Sequence, residues 1–198
     1  MQVLFIIGGM GSGKSTVSRM LGDSGLPVLD LDKVGHRALQ DRVIKHSLAD
    51  AFGHDILDKN GEVLRGVLAK KAFMSSRTTE LLNVITRPWI YQQMHKWLEE
   101  EDKKETPFVA VEVSALNHPD ELRKVGFANM IIAVVASFEV RKKRAEANGF
   151  DPADISERML RQRSDAKRRQ WADFVIENEG TVHDLRLAIE ALMEKIRR

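Results

Sequence analysis

Apolar residues gather in five short runs, at 3–7, 28–32, 108–113, 129–136 and 174–176, and each predicts a β-strand. The third and fourth are nearly continuous, as strands are when a sheet is covered on both faces. Between the runs the apolar spacing changes to three and four residues. Residues 33–53 carry Val34, Ala38, Val43, Ile44, Leu48 and Phe52 at helical intervals, and Gly53 is the stop signal. Asp58, Lys59, Asn60 and Gly61 predict a turn. Residues 64–94 return to helical spacing, with an interruption predicted at Arg87-Pro88. The charged run 99–105 reads as a solvated helix end and loop. An amphipathic helix over 181–197 closes the chain through Leu185, Leu187, Ile189, Leu192 and Ile196. Strands alternating with helices predict a parallel sheet joined by right-handed crossovers. The long helical section between the second and third strands exceeds a simple crossover and predicts an inserted helical subdomain.

The first strand runs directly into Gly8, Gly9, Met10, Gly11, Ser12, Gly13, Lys14, Ser15 and Thr16, which fits G-x-x-x-x-G-K-[ST]. Helical spacing through Val17, Met20 and Leu21 follows at once. The chemistry of this pattern is anion binding. Glycines let the backbone curl so that successive N–H groups point inward at a phosphate. A helix beginning near Lys14 adds unpaired N–H groups and the positive end of its dipole. Lys14 is expected on the β- and γ-phosphates, and the Ser15 hydroxyl on Mg²⁺. The order strand, loop, helix sets this apart from a plain glycine-rich turn and predicts a nucleoside triphosphate site.

Composition narrows the partners. Hydrophobic residues at 43% and charged residues at 30% describe a globular chain that buries a core. Lys plus Arg exceed Asp plus Glu by only two, so overall charge names no partner. The absence of cysteine excludes disulfides and thiolate metal sites and fits a reducing cytoplasm. The first apolar run has no basic segment before it, so it reads as a strand and not a signal peptide, and no run reaches membrane-spanning length. Local charge is less even: residues 141–169 hold ten Lys or Arg against five Asp or Glu. Gly149-Phe150-Asp151-Pro152 places a turn within that stretch, where a lid could hinge. Phe150 is the single aromatic residue of the stretch, too few to interleave for base stacking, so arginines clamping a triphosphate account for the charge better than a nucleic-acid patch.

Taken in order, these segments resemble the dephospho-CoA kinase family over nearly the whole chain, from Ile6 to Gly180. The loop from Gly11 to Thr16 is joined by Val28-Leu29-Asp30-Leu31-Asp32, like the family's D-x-D strand end. Phe52-Gly53, Ile56-Leu57, Gly61 and Arg65 look like its inserted substrate domain. Arg158, Arg161 and Gln162 carry its R-x-x-x-Q lid pattern. Residues 172–180 are similar to its A-D-x-[VI]-I-x-N-x-G ending. The resemblance implies an α/β P-loop kinase fold of three layers, with a central parallel five-stranded sheet, over 1–198 as one domain. Its core would comprise 1–32, 107–140 and 172–198, its helical substrate insertion about 33–100 and its lid about 141–170. The implied reaction moves the ATP γ-phosphoryl to the 3′-hydroxyl of dephospho-CoA, with Mg²⁺ as cofactor. Asp32 matches the family's base, and Asp30 orients the strand end or the metal's waters. Glu112 stands at the third strand's end, where the family usually has Asp, and would hold Mg²⁺ with Ser15. Arg144 and Arg158 would meet the triphosphate, and Asn178 and Gly180 lie where the adenine-side loop would be. A cytoplasmic monomer or weak homo-oligomer is implied, with no nucleic-acid or membrane partner.

The departures cluster on the acceptor side. After the third strand the family reads P-L-L-[FV]-E, whereas this chain has Ser114, Ala115, Leu116, Asn117 and His118. The family's H-P is Arg87-Pro88, and its second lid arginine aligns with Asn148. Two further readings follow, a P-loop kinase for another small alcohol or nucleotide and a nucleotide-binding regulator without transfer. Asp32 carries two readings of its own. On an extended strand it would share a face with Asp30 and reach the cleft; at a helix start near Lys33 it would be an N-cap. His118 reads as a solvated loop residue, and Trp89, Trp97 and Trp171 as packing anchors.

Overall fold

The computed structural model describes residues 1–116 and 118–197, with the side chains of residues 153, 154, 157 and 161 outside the description. Asn117 of the altered segment and the Arg161 side chain of the lid pattern therefore lie outside the described residues. In chain order the elements are β1 (Gln2–Gly8), α1 (Lys14–Asp23), β2 (Val28–Asp30), α2 (Leu31–Ala38), α3 (Arg42–Phe52), α4 (Arg65–Ala72) and α5 (Ser76–Lys103). There follow β3 (Phe108–Val113), α6 (Asp120–Arg123), β4 (Ala128–Val135), α7 (Phe138–Ala147), α8 (Pro152–Arg161), α9 (Asp165–Trp171), β5 (Phe174–Glu177) and α10 (Val182–Arg197). Among the described residues no helix is long and apolar enough to cross a membrane. The chain divides into two compact units, one of Met1–Asp30 with Glu101–Arg198, the other of Leu31–Glu100.

The first unit is built on a five-stranded sheet in the order β2-β3-β1-β4-β5. Every pairing is parallel. β1 sits at the centre, so the chain leaves it toward β2 on one side and later fills β4 and β5 on the other. That reversal opens a crevice at the strands' carboxyl ends, the place where such sheets bind ligands. Alternation along the strands splits the core in two. Leu4, Ile6, Ala110, Ile132 and Val134 pack with Val17 and Leu21 of α1 and Leu185 and Ile189 of α10. Val3, Phe5, Val109, Val111, Ile131 and Ala133 point to the opposite face and are equally buried. Burial on both faces is why the runs read as continuous rather than alternating.

The second unit is helical. Its core joins Leu48 and Phe52 of α3, Ile56 of a short 3₁₀ turn at His54–Ile56, and Leu68 and Ala72 of α4. Leu82, Ile85, Trp89 and Ile90 of α5 pack against it. Asp41 caps α3 by accepting from the N–H groups of Val43 and Ile44, and it also accepts from Trp89 Nε1 at 3.2 Å. The predicted turn is present, with the Asp58 carboxylate accepting from the N–H groups of Asn60 and Glu62 at 2.8 Å each.

Three expectations are corrected. The second strand stops at Asp30, and Leu31 and Asp32 open α2 instead of extending it. Residues 33–53 form two helices, because Asp41 competes for backbone donors and starts a new one. Pro88 does not interrupt α5, which runs through it for 28 residues. Its ring removes the i+4 N–H donor of the Val84 carbonyl, and Val84 is 61% exposed, within reach of water. Packing on both sides of Pro88, including fully buried Leu98, overrides the local break. The charged run is a helix end as expected. Yet Glu101 within it is buried, where it accepts from Lys104 Nζ at 2.7 Å and Thr106 Oγ1 at 3.1 Å.

Candidate active site

The phosphate loop leaves β1 at the reversal point of the sheet and enters α1 at Lys14. Gly13 precedes the helix with φ 93°, and a Cβ there would collide with Asn178 Nδ2. Both constraints demand glycine. The N–H groups of Thr16 and Val17 return to the Gly13 carbonyl at 3.0 Å. Lys14 and Ser15 stand in the helix's first turn, whose leading N–H groups have no partner within a helix and suit an anion. Ser12 is fully buried, and its Oγ has no hydrogen-bond partner among the described residues.

Glu112 reaches this loop because of strand register. It pairs with Ile6 of β1 and Asp30 of β2, and it shares the α1-side face with Ala110. From there one carboxylate oxygen accepts from both Lys14 Nζ and Ser15 Oγ, the latter at 2.6 Å. Burial opposes its ionisation, but the hydrogen bonds from Lys14 and Ser15 and the Lys14 charge outweigh burial and hold Glu112 below its ordinary value. Two hard oxygen donors side by side, Ser15 Oγ and the Glu112 carboxylate, are the set a small divalent cation takes together with phosphate oxygens and water.

The loop is braced from behind. Asn178, just past β5, donates from Nδ2 to the Ser12 carbonyl at 2.8 Å, and its own N–H donates to the Val135 carbonyl at 2.8 Å. Arg144 of α7 donates to the carbonyls of Asn178 at 2.8 Å and Gly180 at 3.1 Å. Gly11, Ser12, Gly13, Lys14, Ser15, Thr16, Glu112, Arg144, Asn178 and Gly180 thus all belong to the first unit. Arg158 lies exposed on α8, its guanidinium 5.9 Å from the centre of the Phe150 ring.

A second ring of residues surrounds the loop, of which the sequence had marked only Gln162, as part of the lid pattern. Arg141 of α7 donates from Nε to the Met10 carbonyl at 2.8 Å, and Gln162 accepts from the Met10 N–H at 2.9 Å. Asp165 bridges Arg141 at 3.1 Å and Arg168 at 2.6 Å. For Asp165 and Arg168 the signal readable beforehand was their i, i+3 spacing on one helix. The Asp of the A-D ending proves structural. Asp173 accepts from the Ile131 N–H at 2.7 Å and pairs with Arg123, tying the entry of β5 to β4.

In the second unit a cavity of about 420 Å³ is lined by Asp32, His36, Leu39, Arg65, Leu68, Phe73, Leu82 and Ile90. Asp32 occupies the first turn of α2 and is exposed on this wall. It is neither an extended-strand residue nor the residue preceding the helix, because α2 already begins at Leu31. His118 is exposed, hydrogen-bonded to the Asp120 N–H and tilted against Trp171.

The family model and the curated relatives of the chain agree on one family. The family model described as dephospho-CoA kinase matches residues 2–184. A dephospho-CoA kinase of Dehalococcoides mccartyi is 32% identical over 195 residues, covering 98% of each chain. A crystal structure from Thermus thermophilus superposes with a TM-score of 0.78 at 28% identity, over 98% of this chain and 97% of that one. A Campylobacter jejuni dephospho-CoA kinase of 20% identity shares the fold with a TM-score of 0.70, over 99% and 98%.

Proposed function

The chain belongs to the dephospho-CoA kinase family, and we propose how its own residues divide the transfer of the ATP γ-phosphoryl group to the 3′-hydroxyl of dephospho-CoA. The observation that carries the reading is the meeting of Lys14 and Ser15 on one Glu112 oxygen at the phosphate loop. Phosphoryl transfer asks for positioning and charge more than for covalent help. The N–H groups from Gly11 to Thr16 cradle the phosphates, and Lys14 leaves Glu112 for the β- and γ-phosphates. Ser15 and Glu112 would hold Mg²⁺, which when bound neutralises charge on the phosphates. Asp32 accepts the proton of the 3′-hydroxyl as its oxygen bonds to the γ-phosphorus; the bond from that phosphorus to the β–γ bridging oxygen breaks and ADP leaves. Arg144 and Arg158 supply cations to the triphosphate. Arg144 starts from the neutral carbonyls of Asn178 and Gly180, which a charged phosphate oxygen outcompetes. Asn178 and Gly180 carry the adenine side. The cavity with Asp32 takes the acceptor, its Leu39, Leu82 and Ile90 wall suiting apolar parts and Arg65 a diphosphate. The same reading carries a cytoplasmic location and a monomer or weak homo-oligomer with no nucleic-acid partner. An ADP-release assay with dephospho-CoA and a panel of nucleosides and sugars tests it. Release is expected with dephospho-CoA and only background release with the others; equal release with a nucleoside or sugar overturns the acceptor.

A further inference from the structure

The ion cluster on α7 and α9 has no part in that division of labour, yet it touches the phosphate loop. Arg141 and Arg168 are 7% and 5% exposed, and both guanidinia crowd Gly9. A Cβ on that glycine would meet Arg141 Cζ at 2.8 Å and Arg168 Nη1 at 3.1 Å. One carboxylate, Asp165, serves both. Among the described residues the cluster therefore sets two positive charges against one negative charge. Arg141 spends its nitrogens on the Met10 carbonyl, Asp165 and Gln162. Among the described residues Arg168 has Asp165 as its one hydrogen-bond partner. Burial, and the repulsion of Arg141, hold the Arg168 guanidinium below its ordinary value despite Asp165. Two like charges out of water with a single counter-charge are electrostatically incomplete. They become balanced when a polyanion arrives next to them.

We infer that Arg168 is a polyphosphate-binding cation of the donor site and that Asp165 is its resident counter-ion, so the two neighbours act on nucleotide affinity with opposite sign. The inference rests on the phosphate loop being the donor site. Its electrostatic content separates it from a bracket that merely holds the loop in shape. Arg168→Gln and Asp165→Asn break the same bond, so a bracket moves affinity the same way in both. A charge effect moves it in opposite ways.

Calorimetric titration of the full chain with inorganic tripolyphosphate, and with ATP, makes the distinction. Arg168→Gln is expected to raise Kd by about tenfold, and Asp165→Asn to lower it severalfold at low salt. Added salt is expected to narrow that gap. Arg168→Lys keeps the charge without the planar fork, so it is expected to stay close to wild type and serves also if the Gln variant does not fold. Weakening of similar size in Arg168→Gln and Asp165→Asn overturns the inference, as does a Lys variant as weak as the Gln one. Lys14→Ala in the same titration checks the donor-site reading itself. If it binds tripolyphosphate like wild type that reading fails, whatever Arg168 does.

Discussion

Lys14 and Ser15 converge on a single oxygen of Glu112, so the two groups expected on phosphate and metal are already gathered before either ligand arrives. Lys14 is 7% exposed. Removing its charge removes a donor aimed at the transferring group, and Lys14→Ala is expected to lower turnover by roughly 10²–10³-fold with the fold intact. Steady-state kinetics with circular dichroism as the fold control checks this; a loss within about tenfold, ~1.4 kcal/mol, would take the loop out of the chemistry. Asp32 is the more exposed wager. In the first turn of α2 it already favours the helix dipole, an effect of about 0.3–1 kcal/mol that Asn gives up. Asp32→Asn is thus expected to lower the melting temperature only slightly and leave ATP affinity unchanged. Turnover on dephospho-CoA is expected to fall roughly 10²–10⁴-fold, because an amide cannot take a proton. Near-normal turnover would return Asp32 to a helix-end role and send the search for a base to Asp30.

At the scale of elements, the basic stretch 141–169 is anchored to the rest of the unit near both of its ends. Arg141 and Arg144 tie α7 to Met10, Asn178 and Gly180, while Gln162 holds the Met10 N–H and Asp165 ties the start of α9 to Arg141. Between these anchors α8 rests on a small cluster of Ala145, Ile155 and Met159 with Met10. A cluster this small among the described residues means a low local cost of opening. Closure over nucleotide is therefore expected in residues 148–161 rather than along the whole stretch. Hydrogen exchange of those amides is expected to slow on adding a non-hydrolysable ATP analogue, with α7 and α9 changing less. Unchanged exchange at saturating nucleotide would remove α8 as a lid. The seam between loop and brace gives a companion result. Gly13→Ala forces a Cβ into Asn178 at a residue whose φ already suits only glycine, and loss of ATP binding is expected in titration.

Over the whole molecule, acid is the condition that tests the assembled sheet. Glu112, Asp173 and Glu177 are all held below their ordinary values. For Glu112 and Asp173 burial works the other way and is outweighed, by Lys14 and Ser15 in one case and by Arg123 and the Ile131 N–H in the other; for Glu177 the pairing with Arg169 leads. A lowered carboxylate contributes stability that is complete above its ordinary value and lost as pH falls through the folded one. For Glu112 the ordinary value is 4.5. The difference in melting temperature between wild type and Glu112→Gln is expected to be constant near neutrality and to shrink below that pH. A gap that persists in acid would contradict the pairing. The strands, the phosphate loop and the helix after it were legible in the chain, because apolar runs, glycine freedom and helix ends act over a few neighbouring residues. The acidic end of β3 was legible too, since Glu112 closes an apolar run. What Glu112 touches was not: Lys14 lies 98 positions away, and only the order β2-β3-β1 brings the two strands side by side. Asn178 meets Ser12 across 166 positions because β4 lies between β1 and β5. Local rules also misjudged Pro88 and Asp32, whose conformations were settled by packing along α5 and by where β2 yields to α2. The charge on α7 and α9 was countable from sequence, but its burial against Gly9 was decided by the fold alone, since charge is a property of residues and desolvation a property of their surroundings.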